Sequence, residues 1–234
     1  MPLRILAYII PLVTLVLAVG LRLIDPPFVE RGRLAAFDEF LRLQPRPYTD
    51  VPVRVIDIDD ATLERFGQWP WPRTLVADLI DKLAAAGVAA VAFDILFAEA
   101  DRTSPVNILP MWQKSVLHGK AGRSGKVIAS LADIAEDLPD HDAMLAETMA
   151  SVPVVTGFVL TAQPTAHRPV VRFGIAVVGD DPRPFLPTYV GTVATLGPLE
   201  QAAAGNGSLN QLPESDGVLR RIALMQAVGD KIYP

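Results

Sequence analysis

VPVRVIDIDDATLERFGQWPWPRTLVADLIDKLAAAGVAAVAFD, residues 51–94, sets the expected fold. Residues 51–58 are mostly β-branched and apolar and read as a strand. Asp60 is placed to cap a short helix over 61–66, which Gly67 stops. Trp69-Pro70-Trp71-Pro72 reads as a rigid turn, because each proline fixes φ and each indole has a large area to bury. Residues 74–86 read as a helix with apolar Leu75, Leu79, Ile80 and Leu83, ended by Gly87. Residues 88–93 are apolar throughout and read as a second strand. Strand, helix and apolar strand at this spacing form a βαβ unit, which implies a parallel sheet with a right-handed crossover.

Downstream, 102–126 has no period and reads as a long loop or insertion. Pro139-Asp140 opens a helix that runs to Met149, and 152–160 is a third strand. A fourth strand is expected at 170–178, a short helix at 199–204, and late strands at 207–212 and 218–228 around a Ser215-Asp216-Gly217 turn. The fold class expected is therefore α/β, with a mainly parallel sheet, flanking helices and late antiparallel strands. A transmembrane helix is expected to precede it.

That helix rests on residues 5–21, a stretch without charge in a chain of 234 residues. Seventeen residues lie at the short end of what spans a bilayer. Snorkelling by Arg22 would extend the helix to Ile24, roughly 30 Å at about 1.5 Å per residue. A cleaved signal peptide, with Ala18-Val19-Gly20 as the cleavage site, and a buried soluble helix are the competing readings. Arg4 and the amino terminus precede the segment, so the N-terminus is expected inside and the rest outside. The organisation read from the chain is an anchor at 1–24, a juxtamembrane stalk and linker at 25–50, and an extracytoplasmic domain at 51–234. Leu34, Phe37 and Leu41, with Phe40 beside them, form an apolar stripe on the stalk that suits either a homodimer interface or an edge of the core. The end at Pro234, just after a turn-like Gly-Asp-Lys, suggests a longer parent protein.

Composition removes several functions. The net charge is −5 and no Lys/Arg run exceeds two, so no nucleic-acid partner is expected. There is no cysteine, which excludes disulfides, thiol catalysis and Cys-based zinc sites. His118, His141 and His167 match no zinc spacing. No cofactor and no metal are called for.

Candidate site residues come from the ends of the expected strands. Asp57 and Asp59 would share one face of the first strand, Asp94 would close the second, and Arg73 would lead the helix between them. Such a crevice could receive a small ligand; the alternative is that these groups cap turns and brace one another. Arg220-Arg221 after Asp216-Gly217 reads as an anion site or as two strand charges beside a hairpin. An enzymatic alternative also exists. Asp57-Ile58-Asp59 after an apolar run resembles the first motif of haloacid-dehalogenase-like phosphatases. Thr156 and Asp180-Asp181 stand in for later motifs, but Ala61 departs from the first and no Lys lies between Thr156 and Asp180. A structural envelope protein is a third possibility.

Four stretches in order, VIDIDDATLERFGQWPWPR (55–73), GVAAVAFDILFAEADRTSP (87–105), PDHDAMLAETMASVPVVTGFVL (139–160) and GNGSLNQLPESDGVLRRIAL (205–224), resemble the type-two CHASE domain. This is the cyclase- and histidine-kinase-associated sensory extracellular module. The resemblance covers residues 25–234. It implies a sensor outside the membrane, with an adenylate or guanylate cyclase, a kinase or a diguanylate cyclase as cytoplasmic output. It implies no catalytic residues in this segment, and its ligand is a small molecule or a physical stimulus of unknown identity.

Overall fold

The computed structural model describes residues 2–118, 138–172 and 174–234. The chain divides into two units, residues 1–57 and 58–234. In the first, helix α1 (Pro2–Ile24) and helix α2 (Pro27–Leu43) meet at Asp25-Pro26, where Asp25 takes φ 42° and pairs with Arg33 at 2.9 Å. From Tyr8 to Ile24, α1 presents apolar side chains to the outside on nearly every face. Among the described residues no single helix is long and apolar enough to cross a membrane. Tyr8–Ile24 and Pro27–Leu43 meet that requirement as a pair bent by 83°. On α2, Leu34 is buried, whereas Phe37, Phe40 and Leu41 are exposed.

The expected first strand, 51–58, does not form. The segment bends at Pro52, where the Val53 amide donates to the Val51 carbonyl; Val51, Val53, Val55 and Ile56 are exposed, and Arg54 bonds the carbonyls of Val51 and Val53. A β-branched run makes a segment competent to be a strand, but only a hydrogen-bonded neighbour makes it one.

The second unit starts with helix α3 (Asp60–Phe66), capped by Asp59 rather than Asp60: its carboxylate accepts from the Thr62 amide at 2.9 Å. Gly67 ends it with φ 91°, a conformation that costs glycine little. The Trp-Pro-Trp-Pro turn follows. Trp71 is buried, donates its Nε1 to the Gly67 carbonyl at 2.7 Å and meets Phe66 and Trp69 edge-to-face at 5.7 Å. Helix α4 (Arg73–Ala85) buries Arg73, Val76, Ala77 and Ile80, one stripe at i, i+3, i+4 and i+7. Strand β1 (Val91–Ala92) comes next.

Residues 102–126 contain helix α5 (Pro105–His118), where a loop was expected; 119–126 lie outside the described residues. Pro105 in the first turn is a favourable helix start, while Pro110 inside made the stretch read as broken. Helix α6 (His141–Ser151) is capped by Asp140, whose side chain accepts from the Asp142 amide. It leads into β2 (Val154–Thr161), the central strand. β3 (Thr188–Tyr189), β4 (Gly191–Val193), helix α7 (Gly197–Ala202), β5 (Gly205–Ser208), β6 (Gln226–Val228) and β7 (Lys231–Tyr233) complete the chain.

β2 pairs in parallel with β1 (Val91↔Val154) and β5 (Thr156↔Asn206), and antiparallel with β4 (Leu160↔Thr192). Beyond β5, the Asn210 side-chain amide replaces a strand: it donates to the Leu160 carbonyl and accepts the Leu160 amide. β3, β6 and β7 form a second sheet of one parallel and one antiparallel pair. The mixed α/β architecture is thus as expected, with differences besides 51–58: of the strands expected at 88–93 and 218–228, only Val91–Ala92 and Gln226–Val228 form. Residues 170–178 form no strand over their described part, and Val171, Val177 and Val178 are exposed. The strand expected at 207–212 forms instead as Gly205–Ser208. The Ser215-Asp216-Gly217 turn closes with Glu214 N to Val218 O, but no ladder extends from it.

The main core packs Val76, Ala77 and Ile80 of α4, Leu145 and Met149 of α6 and Leu199 of α7 over Val154 and Phe97. A second cluster gathers Phe158, Leu160, Ala194, Val228 and Tyr233. Ile80 is fully enclosed, so Ile80→Ala should lower the unfolding free energy by about 2–5 kcal/mol. Asp78→Ala, at an exposed position of the same helix, should stay within about 0.5 kcal/mol. Denaturant unfolding of the chain in detergent measures both.

Candidate functional site

Arg73 is the one residue of the expected crevice that is buried. Its Nε lies 3.2 Å from Asp142 Oδ1, an η nitrogen donates to the Glu99 carbonyl at 2.9 Å, and the guanidinium stands 4.6 Å over the Phe97 ring. Its own amide donates to Asp101 Oδ2 at 2.8 Å. That bond completes α4: the N-cap position is Pro72, which has no side-chain acceptor, so Asp101 supplies one from 28 residues away. The Asp101 amide in turn donates to Asp142 Oδ2 at 2.8 Å. Two carboxylates therefore stand at the positive ends of α4 and α6, and the Arg73 guanidinium pairs with one of them, Asp142.

Asp101 has further partners. Its Oδ1 accepts from the amide and hydroxyl of Thr103, both at 2.8 Å, and its Oδ2 lies 3.1 Å from His141 Nδ1. Burial by itself would raise the Asp101 pKa. The Arg73 amide, the Thr103 amide and hydroxyl, and His141 outweigh it and hold the carboxyl below its ordinary 3.8.

The other expected residues are placed elsewhere. Asp57 is exposed in the irregular segment that ends the first unit. Asp59 is the exposed cap of α3, held below its ordinary pKa by the Thr62 hydroxyl and amide. Asp94 is exposed just beyond β1. Among the described residues no group of three or more His, Asp or Glu side chains is placed to hold a metal ion. The phosphatase reading loses its scaffold, because no strand carries Asp57 and Asp59. Arg220 pairs with Asp216 at 2.7 Å, pulling that carboxyl down to about 2, and Arg221 pairs with Glu214. Both arginines brace the turn.

Sequence reading missed a second polar cluster. Glu200, buried in α7, accepts the Val170 amide at 2.8 Å and has His167 Nε2 at 3.5 Å. Arg172 bonds the Glu200 and Gln201 carbonyls at the C-terminal end of α7. Asn206 of β5 donates its amide to the Val170 carbonyl at 2.7 Å. Beside these bonds lies a cleft of about 260 Å³ lined by Arg172, Gly174, Ile175, Asn206, Met225 and Pro234. Asn206 is 8% exposed, and among the described residues its Oδ1 has no hydrogen-bond partner. The only sequence signal was the Gly205-Asn206-Gly207 triplet: small neighbours around a lone polar side chain on a strand.

The model of the CHASE2 domain family matches residues 13–234. The chain belongs to the CHASE2 family. No curated protein matches it, and no solved structure does. CHASE2 domains are sensory extracellular domains of signalling receptors, and the segment is accordingly a sensory domain, not a catalytic one. In this CHASE2 domain the Arg73–Asp101–Asp142 group is buried and mutually bonded, while the cleft beside Arg172 and Asn206 opens to the surface.

Breaking the brace should be costly. Arg73→Met leaves Asp142 buried without its cation and should lose about 3–5 kcal/mol of stability; adding Asp142→Leu should restore a large part. The pH dependence has a definite sign. A carboxyl lowered on folding contributes fully above its unfolded value of 3.8, and the contribution is lost as pH falls through the lower folded value. Asp101→Asn should therefore be less stable than the parent at neutral pH and lose less stability between about pH 5 and pH 2. Unfolding midpoints across that range measure the difference.

Proposed function

We propose that this CHASE2 domain is the extracytoplasmic input of a transmembrane receptor, anchored by α1 and acting as a homodimer. The cytoplasmic output is a cyclase or kinase, as the family resemblance implies. The observation that carries the reading is the family match over 13–234 combined with an N-terminal helix that is apolar on nearly every face and exposed. A helix apolar all round is stable in a protein core or in lipid, and here protein does not cover it. Arg4 and the amino terminus on its leading side favour an inside N-terminus. Reception then falls to the Arg172–Asn206 cleft. Occupancy transmits a signal only if the ligand binds one arrangement of the dimer more tightly than another.

A phosphatase reporter fused after Asp50 should be active, and a reporter that works only in the cytoplasm should be silent at the same junction. The reverse pattern would remove the receptor reading. The stalk gives a second test. Phe37 and Leu41 are exposed on α2, and covering each in a dimer would contribute on the order of 1.5–3 kcal/mol. Phe37→Asp should raise the dimer dissociation constant roughly tenfold to a hundredfold in detergent, read by sedimentation, without changing the unfolding midpoint. A fall in that midpoint would make Phe37 a core residue.

A further inference from the structure

We propose that α2 lies flat on the outer face of the bilayer that α1 crosses, with Ala36, Phe40 and Leu43 among the lipid headgroups and Arg31 and Arg42 toward water. The inference deepens the receptor reading and rests on it, because α2 meets lipid only if α1 spans. The apolar part of α1 is just long enough to cross upright, so its axis stands near the bilayer normal. The axes of Tyr8–Ile24 and Pro27–Leu43 meet at 83°, so α2 then runs nearly parallel to the membrane plane. The corner is held on both sides. The Asp25 amide donates to the Leu21 carbonyl at 3.0 Å, and the Asp25 carboxylate takes Arg33 at 2.9 Å.

Composition excludes the other placements of this helix. Glu30, Arg31, Arg33, Asp38, Glu39 and Arg42 are too costly to carry into hydrocarbon, so α2 is not the second half of a broken span. Water does not suit it either, since Phe40 and Leu43 are 70% and 72% exposed. Ala36, Phe40 and Leu43 stand at i, i+4 and i+7 and form one stripe, and Arg31 and Arg42 fall roughly opposite it. An apolar stripe backed by charges suits the boundary between headgroups and acyl chains. Buried Leu34 also lies across the helix from the stripe, so the face that protein covers is not the face left bare. Phe37 and Leu41 are about a third of a turn around from the stripe and stay available to the dimer. The three arginines of α2 balance its three acids, so apolar contact holds it and a zwitterionic bilayer suffices.

The chain has no cysteine, so one introduced cysteine carries a nitroxide label without background. The test is the accessibility of such labels in the full chain, reconstituted in phosphatidylcholine vesicles, to oxygen and to a water-soluble nickel chelate. Labels at Phe40→Cys and Leu43→Cys, both exposed positions, should favour oxygen and lie about 5–10 Å below the phosphates. Labels at Arg31→Cys and Ala35→Cys, also exposed, should favour nickel. Nickel access at Phe40 and Leu43 equal to that at Arg31 would leave the stripe in water and overturn the inference. Shielding of both labels from both reagents would place protein on the stripe and overturn it equally. Labels at Val13→Cys and Val16→Cys read the anchor separately. If they lie in the bilayer while Phe40 and Leu43 stay in water, the interfacial helix is removed and the receptor reading stands. If they too lie in water, both are removed.

Discussion

Everything in the second unit leans on one buried cation. Arg73 joins three segments distant in sequence: the start of α4, the loop at 97–104 and the start of α6. A guanidinium in the interior is costly unless its charge is paired and its N–H groups are bonded. Here the carboxylate of Asp142, the carbonyl of Glu99 and the face of Phe97 meet it. The two acids need it in return, since they would otherwise be like charges held close together. The positive ends of two helices share the load, and the arrangement fixes where α4 and α6 begin. Their apolar stripes then fall on the same side of β2.

β2 carries the fold from this brace to the cleft. Its first half is parallel-paired on both edges and lies under the main core; its second half turns to antiparallel pairing and a second cluster. Thr156 stands between Val154 and Phe158, on the same face as both, and so divides the two clusters with a polar residue. Asn206 extends that polar spot across to β5. Unsatisfied polar atoms at the centre of a sheet lower stability, and natural folds keep them mainly where something binds. The brace is polar and saturated; the cleft is polar and unsaturated.

The resemblance read from four stretches and the family match agree over nearly the whole chain, and both give a sensory role. The candidate site residues read from the strand ends are dispersed in the structure. Arg73 was legible as special because a cation leads a helix, whereas Asp59 was read as closing a strand and is the helix cap expected at Asp60. The partners of Arg73 were not legible, since Asp101 and Asp142 lie 28 and 69 residues beyond it. No periodicity reports a contact at that separation.

Local physics determined much from the sequence alone. Apolar stripes, Asp140 as a cap and Gly67 and Gly87 at φ near 90° and 80° set the helices, and the mostly apolar Val154–Thr161 set the central strand. Propensity, caps and side-chain period act over one or two turns, so a linear reading reaches them. Only tertiary structure decided which apolar segments pair. Residues 51–58 and 170–178 have strand composition and no ladder, whereas Gly205-Asn206-Gly207-Ser208 has poor strand composition and a full one. Likewise it alone made Asn206 an acceptor without a donor. Hydrogen bonds between strands, and the lack of one in a buried amide, belong to neighbours distant along the chain, and those neighbours are chosen when the whole core closes.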